Sequence, residues 1–245
     1  MKRVFDFFIA LTGLLFLLPF TLIILFLIWI QDFSSPFYVA PRVGKNGKMF
    51  KMIKLRSMVK NADRTGVDST SANDMRITRI GHFIRKFKLD ELSQIWNVLL
   101  GDMSFVGPRP NVKKETDLYT DEEKKLITIR PGITDFSSIV FSDEGDILKD
   151  HPDPDIGYNQ LIRPWKSRLG IIYVEHGNFF IDLKLVALTV VAVVSRERAL
   201  KGINKMLISM DAPSEVIEVA KREKKLIPCP PPGSSKIVTS RDINF

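Results

Sequence analysis

The sequence predicts a mainly helical α+β protein attached to a membrane at its N-terminus, with a Pro-kinked re-entrant helix, interfacial helices and a short β-hairpin. Three observations carry that expectation. Phe7 to Ile30 is a run of 24 residues without a charge. The apolar residues Leu92, Ile95, Trp96, Leu99 and Leu100 recur at helical spacing. Two short stretches, Phe37 to Val39 and Met49 to Leu55, flank a Gly-Lys-Asn-Gly turn of the kind that closes a hairpin.

The N-terminal run is long enough, at about 1.5 Å per residue, to cross a hydrocarbon core of roughly 30 Å. Pro19 divides it into pieces of twelve and eleven residues, each roughly 17 Å long and too short to cross alone. Lys2 and Arg3 precede the run and the basic segment Arg42 to Arg56 follows it. The positive-inside rule therefore places both ends in the cytoplasm, so the helix enters one leaflet, bends at Pro19 and returns. A single span kinked at proline is the alternative. A cleaved signal peptide is disfavoured, because no small-x-small site follows the run before Gln31 and Asp32.

On the second hairpin strand Lys54 and Arg56 fall on one face. The GxxxxGK[ST] spacing is absent around Gly44 to Lys48, which excludes a Walker A phosphate loop. Asn61 to Asp74 is polar and reads as a mobile loop. A helix follows from Asp90, near its N-cap, to a stop at Gly101. Gly101 to Val112 is a Gly/Pro-punctuated loop, and Glu115 to Ile129 reads as a further helix ended by Pro131-Gly132. Phe179 to Val194 is apolar but carries Asp182 and Lys184, so it suits an interfacial or core-packing helix better than a second span. His151 to Asp155, "HPDPD", is a surface turn, and the Pro-rich stretch 228–235 is linker-like.

The formal charge of +8 is not evenly spread. Residues 42–90 hold thirteen Lys/Arg against four Asp, whereas 91–245 hold twenty-one against twenty-two acidic residues. Such a segment expects an anionic partner. The one cysteine, Cys229, lies among prolines and excludes an intramolecular disulfide; three scattered histidines make a zinc site a poor reading. An oxygen-liganded cation fits better.

"RKFKLDELSQIW" (Arg85 to Trp96) sets Asp90 and Glu91 behind Arg85, Lys86 and Lys88. Neighbours on a helix project about 100° apart, so the pair does not share one proton and has two jobs. An aspartate at a helix start beside cations suits a carboxylate nucleophile or metal ligand, and Glu91 suits a Mg²⁺ ligand. An ordinary helix cap on a basic surface fits the same residues.

Four blocks, "FKMIKLRSM" (Phe50 to Met58), "GHFIRKFKLDELSQIWNVLLGDMSFVGPRP" (Gly81 to Pro110), "IRPGIT" (Ile129 to Thr134) and "YVEHGNFFIDLKLV" (Tyr173 to Val186), follow the Pro-interrupted apolar segment in order. Together they resemble the bacterial sugar transferases known as monotopic phosphoglycosyl transferases, over about residues 1–194. The resemblance implies an enzyme at the cytoplasmic face of the bacterial inner membrane. It would move a sugar-1-phosphate from a UDP-sugar to polyprenyl (undecaprenyl) phosphate, release UMP and start a surface glycan such as an exopolysaccharide. It implies Asp90 as nucleophile, through an aspartyl phosphosugar, and Glu91 with Asp90 at Mg²⁺. Lys54, Arg56 and Arg85 are implied phosphate ligands, Arg109 between Pro108 and Pro110 faces the nucleotide, and Arg130 is a further candidate.

Residues 1–32 are then the membrane helix, 33–205 the catalytic domain and 206–245 a weakly ordered tail. The expected partners are UDP-sugar, polyprenyl phosphate and inner-membrane lipid, without nucleic acid; a homodimer is compatible. Many relatives follow Pro-Gly-Ile-Thr with Gly-Trp, whereas Asp135-Phe136 and "SSIVFSDEGDIL" stand here, which leaves the sugar open. A non-catalytic basic membrane-surface protein and a membrane-bound nucleotide-sugar hydrolase are the alternative functions.

Overall fold

The computed structural model describes residues 2–62 and 74–240. The polar loop expected at 61–74 lies almost wholly outside the described residues. α1 (Lys2–Ile30) is one helix that continues through Pro19, and most of its apolar surface is exposed. It is held to the rest of the fold along its length, with Ala10, Leu14 and Leu17 packing on Met52, Ile95 and Val98 between its two ends. Near the start, Arg3 donates to Val98 O and, at 2.7 Å, to Leu99 O, and buried Asp6 accepts from Ser104 Oγ at 2.8 Å. Near the end, Ile24 and Ile28 pack on Leu55 and Ile84, and Asp32 takes both terminal nitrogens of Arg56 at 2.6 Å.

The expected hairpin is present and its first strand is longer. β1 (Phe37–Val43) pairs antiparallel with β2 (Met49–Leu55), in the register Phe37 with Leu55 through Val43 with Met49. Asn46 and Gly47 turn the chain with φ of 55° and 77°. Arg56 lies past the last pair, so its side chain turns to Asp32 rather than sharing the Lys54 face.

α2 (Arg79–Lys86) begins at Thr78, whose hydroxyl accepts from Gly81 N at 2.9 Å. α3 (Gln94–Leu100) ends at Gly101, φ 94°, a conformation that glycine adopts without strain. The helix expected from Asp90 therefore starts four residues later. Lys88 takes a left-handed conformation, φ 52°, and Leu89–Glu91 forms a 3-10 turn, so Asp90 is not an α-helix cap. α3 is stitched along β2: Asn97 accepts from Ile53 N at 3.0 Å and donates to Lys51 O at 2.8 Å, while Ser93 donates to Ile53 O at 3.1 Å.

β3 (Ser104–Val106) and β4 (Gly132–Thr134) form a parallel pair that the sequence pattern did not predict. The strands meet because both crossing residues lack a side chain: a Cβ on Gly132 would lie 2.1 Å from Gly107 N, and one on Gly107 2.5 Å from Arg130 O. Gly132 N donates to Pro108 O at 3.0 Å, which fixes the loop that follows β3.

The helix expected at 115–129 is divided. α4 (Lys113–Thr116) stops, and a 3-10 segment, Glu123–Ile127, restarts from a reciprocal cap in which Glu123 N donates to Thr120 Oγ1 (3.1 Å) and Thr120 N to Glu123 Oε2 (3.2 Å). Fully buried Glu123 also takes Arg163 Nη2 at 2.6 Å and Ser167 Oγ at 2.7 Å.

The main core packs α5 (Phe136–Val140), α8 (Arg163–His176), α9 (Phe179–Val194), α10 (Arg196–Ser209) and α11 (Ser214–Lys221) around Phe136, Leu169, Leu185, Ile203 and Val216. α6 (Glu144–Leu148) and α7 (Pro154–Gly157) complete the layer; Asp153 of "HPDPD" caps α7. Residues 206–240 differ from the loose tail expected. α11 buries Val216 and Ala220, Cys229 N donates to Gln160 O (3.0 Å), and the Pro-rich strap accepts from Thr120 Oγ1 at Pro232 O (2.6 Å).

Candidate functional site

The 3-10 turn Leu89–Glu91 sits where β2, the start of α3 and the loop after β3 converge. Because Ser93 and Asn97 fix α3 against the β2 backbone, Lys54 reaches Asp90, with Nζ 3.5 Å from Oδ2. Because the glycine crossing fixes the Pro108-Arg109-Pro110 loop, Arg109 reaches Glu91, 2.8 Å from Nη1 to Oε1. Arg109 also donates to Ile133 O at 3.3 Å, tying that loop to β4. The two carboxylates thus face different cations, as their separate projections require.

Lys88 and Arg85 complete the ring. Lys88 donates to Ser138 O at 3.2 Å, and Arg85 donates to Ser57 Oγ at 3.1 Å with Asp90 as its strongest favourable charge. Four cations therefore surround two carboxylates. Burial pulls Lys54, Lys88 and Arg85 below their ordinary values; the opposing pull of Asp90 and Glu91 on the two lysines, and of Asp90 and Asp74 on Arg85, is too small to restore them. Burial pushes Glu91 up, but Arg109, then Lys88 and Lys54, outweigh it and hold its carboxyl below the usual range. Glu91 in turn raises Arg109 above its ordinary value, against burial.

The sequence candidates divide on this geometry. Asp90, Glu91, Lys54, Arg85 and Arg109 come together. Pro108 and Pro110 flank Arg109 and line a small cleft with Val43, Tyr119 and Ile129. Arg56 is engaged with Asp32, and exposed Arg130 donates to Gly101 O at 2.9 Å; neither touches the carboxylate pair. One further group reaches the site: Lys88, named only as a neighbouring cation, is one of its walls.

Among the described residues no cluster of three or more His, Cys, Asp or Glu could hold a metal ion.

The family model for bacterial sugar transferases matches residues 1–196. An uncharacterized sugar transferase, EpsL, of Bacillus subtilis is 36% identical over 201 residues, covering 80% of this chain and 89% of its own length. A UDP-galactose-lipid carrier transferase of Erwinia amylovora is 41% identical over 149 residues, 55% of this chain. A UDP-N-acetylgalactosamine-undecaprenyl-phosphate N-acetylgalactosaminephosphotransferase of Aeromonas hydrophila is 35% identical over 142 residues, 57% of this chain. The match spans 31% of the Erwinia protein and 34% of the Aeromonas protein.

Proposed function

The chain belongs to the bacterial sugar transferase family, and from that premise we propose that it moves a sugar-1-phosphate from a UDP-sugar to undecaprenyl phosphate with release of UMP, initiating a surface glycan. The names of the Erwinia and Aeromonas relatives support the donor and the lipid acceptor. The observation that carries the reading is the set of four cations, three of them held below their ordinary values by burial, around Asp90 and Glu91. Desolvated cations with too little counter-charge gain most from an incoming diphosphate, and phosphoryl transfer needs such fixed charge more than it needs proton transfer.

In the chemistry we assign, a carboxylate oxygen of Asp90 attacks the β-phosphorus. The bond from that phosphorus to the bridging oxygen breaks, and UMP leaves with the electron pair. A phosphate oxygen of the lipid then attacks the same phosphorus and releases the Asp90 carboxylate. Lys54 steadies Asp90 between the two steps, and Arg109 holds Glu91 and, with Lys88 and Arg85, receives the phosphate charge. Asp90 and Glu91 would hold Mg²⁺ together with the diphosphate; the ion supplies charge neutralisation there.

The membrane arrangement belongs to the same proposal. Both ends of α1 are pinned to the folded unit that carries the site, Arg3 and Asp6 at one end and Ile28 and Asp32 at the other. A helix whose two ends share one polar domain fits entry into a single leaflet, at the cytoplasmic face, better than a span. In this reading the site would sit at the height of a lipid phosphate.

The test is UMP release from a panel of UDP-sugars, with and without undecaprenyl phosphate and Mg²⁺. The proposal expects at most about one UMP per protein without the lipid, and continued UMP release with a lipid-linked sugar diphosphate only when all three are present. Free sugar phosphate formed at the same rate without lipid would instead make the protein a hydrolase.

A further inference from the structure

Residues 226–240 lie beyond the span that the family model matches, yet they are tied to the fold at several points. Cys229 N donates to Gln160 O at 3.0 Å, Gln160 Nε2 donates to Val238 O at 2.6 Å, and Arg168 Nη1 donates to Pro230 O at 3.1 Å. Val238 is buried. Between these anchors the strap crosses the turn at Thr120, whose hydroxyl gives its one proton to Pro232 O at 2.6 Å and accepts from Glu123 N. Gly233 permits the approach: its φ is 80°, and a Cβ there would lie 3.1 Å from Thr120 Oγ1 and 3.2 Å from Glu122 Cγ. Three successive prolines, Pro230 to Pro232, fix φ along the strap and reduce the entropy lost on seating it.

The same turn leads to the carboxylate pair. Tyr119, next to Thr120, accepts from Asn111 Nδ2 at 2.8 Å, and Asn111 stands two residues after Arg109. Tyr119 and Asn111 line the cleft with Pro108, Arg109 and Pro110. Arg109 in turn lies 2.8 Å from Glu91. Two hydrogen bonds and short stretches of backbone therefore connect Pro232 to the guanidinium at the site. The Arg109 loop also has anchors of its own, since Gly132 N donates to Pro108 O at 3.0 Å and Val43 N to Asn111 O at 2.9 Å. Losing the strap would therefore loosen the loop without releasing it. A neutral hydrogen bond of this kind adds little net stability, but it fixes where a charged side chain lies, and misplacement at a site costs affinity.

We propose that residues 226–240 position Arg109, through Thr120, Tyr119 and Asn111, to receive the diphosphate of the nucleotide donor. This rests on the transferase reading above and deepens it. The test measures UDP binding by titration calorimetry on four full-length chains: wild type, Gly233→Val, Tyr119→Phe and the two combined. Gly233→Val unseats the strap at Thr120, whereas Tyr119→Phe keeps the ring and cuts the path at its hydroxyl. Each single variant should weaken UDP binding about threefold to tenfold, the range for a lost neutral hydrogen bond. The combination should stay within about twofold of the weaker single variant, because both changes cut one path. Losses that multiply in the combination, or a lower melting temperature with unchanged UDP binding, would make the strap merely structural and overturn the proposal. Val238→Asp, which lifts the strap at its buried far end, takes the place of Gly233→Val if that chain does not fold. UMP release from UDP-sugars is measured on the same wild-type protein. A wild type that releases none overturns the transferase reading and this proposal with it; multiplied losses in a chain that does release UMP overturn the proposal alone.

Discussion

Replacing Arg109 by methionine removes the charge that most lowers Glu91 and keeps much of the side-chain volume. The guanidinium lies 2.8 Å from the carboxylate. With the charge centres about 4 Å apart and an effective dielectric near 20, the attraction is about 4 kcal/mol. Both side chains keep some solvent contact, 30% and 17%, which reduces the net loss to about 1.5–3 kcal/mol, the range for a hydrogen bond to a charged group. Burial already pushes the Glu91 carboxyl up, and in the variant only Lys88 and Lys54 oppose it. The carboxyl therefore rises toward and above its ordinary value in the variant. The sign follows from a native value below the unfolded one. In the wild type Glu91 contributes stability that is complete above its unfolded-state value and fades as pH falls through its folded value. In Arg109→Met that contribution shrinks, and the acid side of the stability curve moves toward neutral pH. Thermal melts from pH 8 to pH 4, with UMP release measured across the same range, report both effects. Superimposable pH dependences for variant and wild type would refute the assignment of Arg109 as the main partner of Glu91.

Arg163→Met leaves the fully buried Glu123 carboxylate without its main counter-charge and should cost about 3–5 kcal/mol in chemical denaturation, whereas Glu123→Leu combined with Arg163→Met should recover most of that loss. A double variant as unstable as the single one would contradict the pairing. Gly132→Ala forces a methyl group to within 2.1 Å of Gly107 N. The Arg109 loop must shift, so the melting temperature and UMP release should fall together, with about 1–3 kcal/mol lost from stability. Gln94 is buried, and neither polar atom of its side-chain amide has a hydrogen-bond partner among the described residues. Gln94→Met should therefore raise stability by about 1–3 kcal/mol, and a lower melting temperature would show that the amide is satisfied.

How far the sequence foretells this molecule depends on how local the cause is. The apolar run of α1, the turn at Gly44 to Lys48 and the stop at Gly101 are each written in a few adjacent residues, and each stands in the structure. The β3–β4 pair is not legible, because two three-residue strands meet through a close approach of Gly107 and Gly132, which are 25 positions apart. Glu123 lies in the stretch read as one helix and nothing local marks it for burial, yet it is buried on Arg163, a partner forty residues away. The composition of the Pro-rich strap suggested slack chain, but its carbonyls accept hydrogen bonds from Thr120 and Arg168. In the site, alternation grouped Lys54 with Arg56; the strand ends at Leu55, so only Lys54 faces Asp90. The left-handed Lys88 moved the helix start away from Asp90, and no residue-type rule anticipates that conformation for lysine. The carboxylate pair and the cations Lys54, Arg85 and Arg109 lie in short motifs; the contact of Lys88 with Ser138 O joins segments fifty residues apart and no motif shows it.

The central claim is that Asp90 carries the sugar phosphate between donor and acceptor. The most direct measurement is intact-protein and peptide mass spectrometry of the chain incubated with a UDP-sugar and Mg²⁺ in the absence of lipid acceptor. The account predicts a mass gain of one sugar phosphate on the peptide containing Asp90, discharged when undecaprenyl phosphate is added and absent from Asp90→Asn. Lipid-linked product formed at the wild-type rate by Asp90→Asn, with no adduct in either protein, would contradict it.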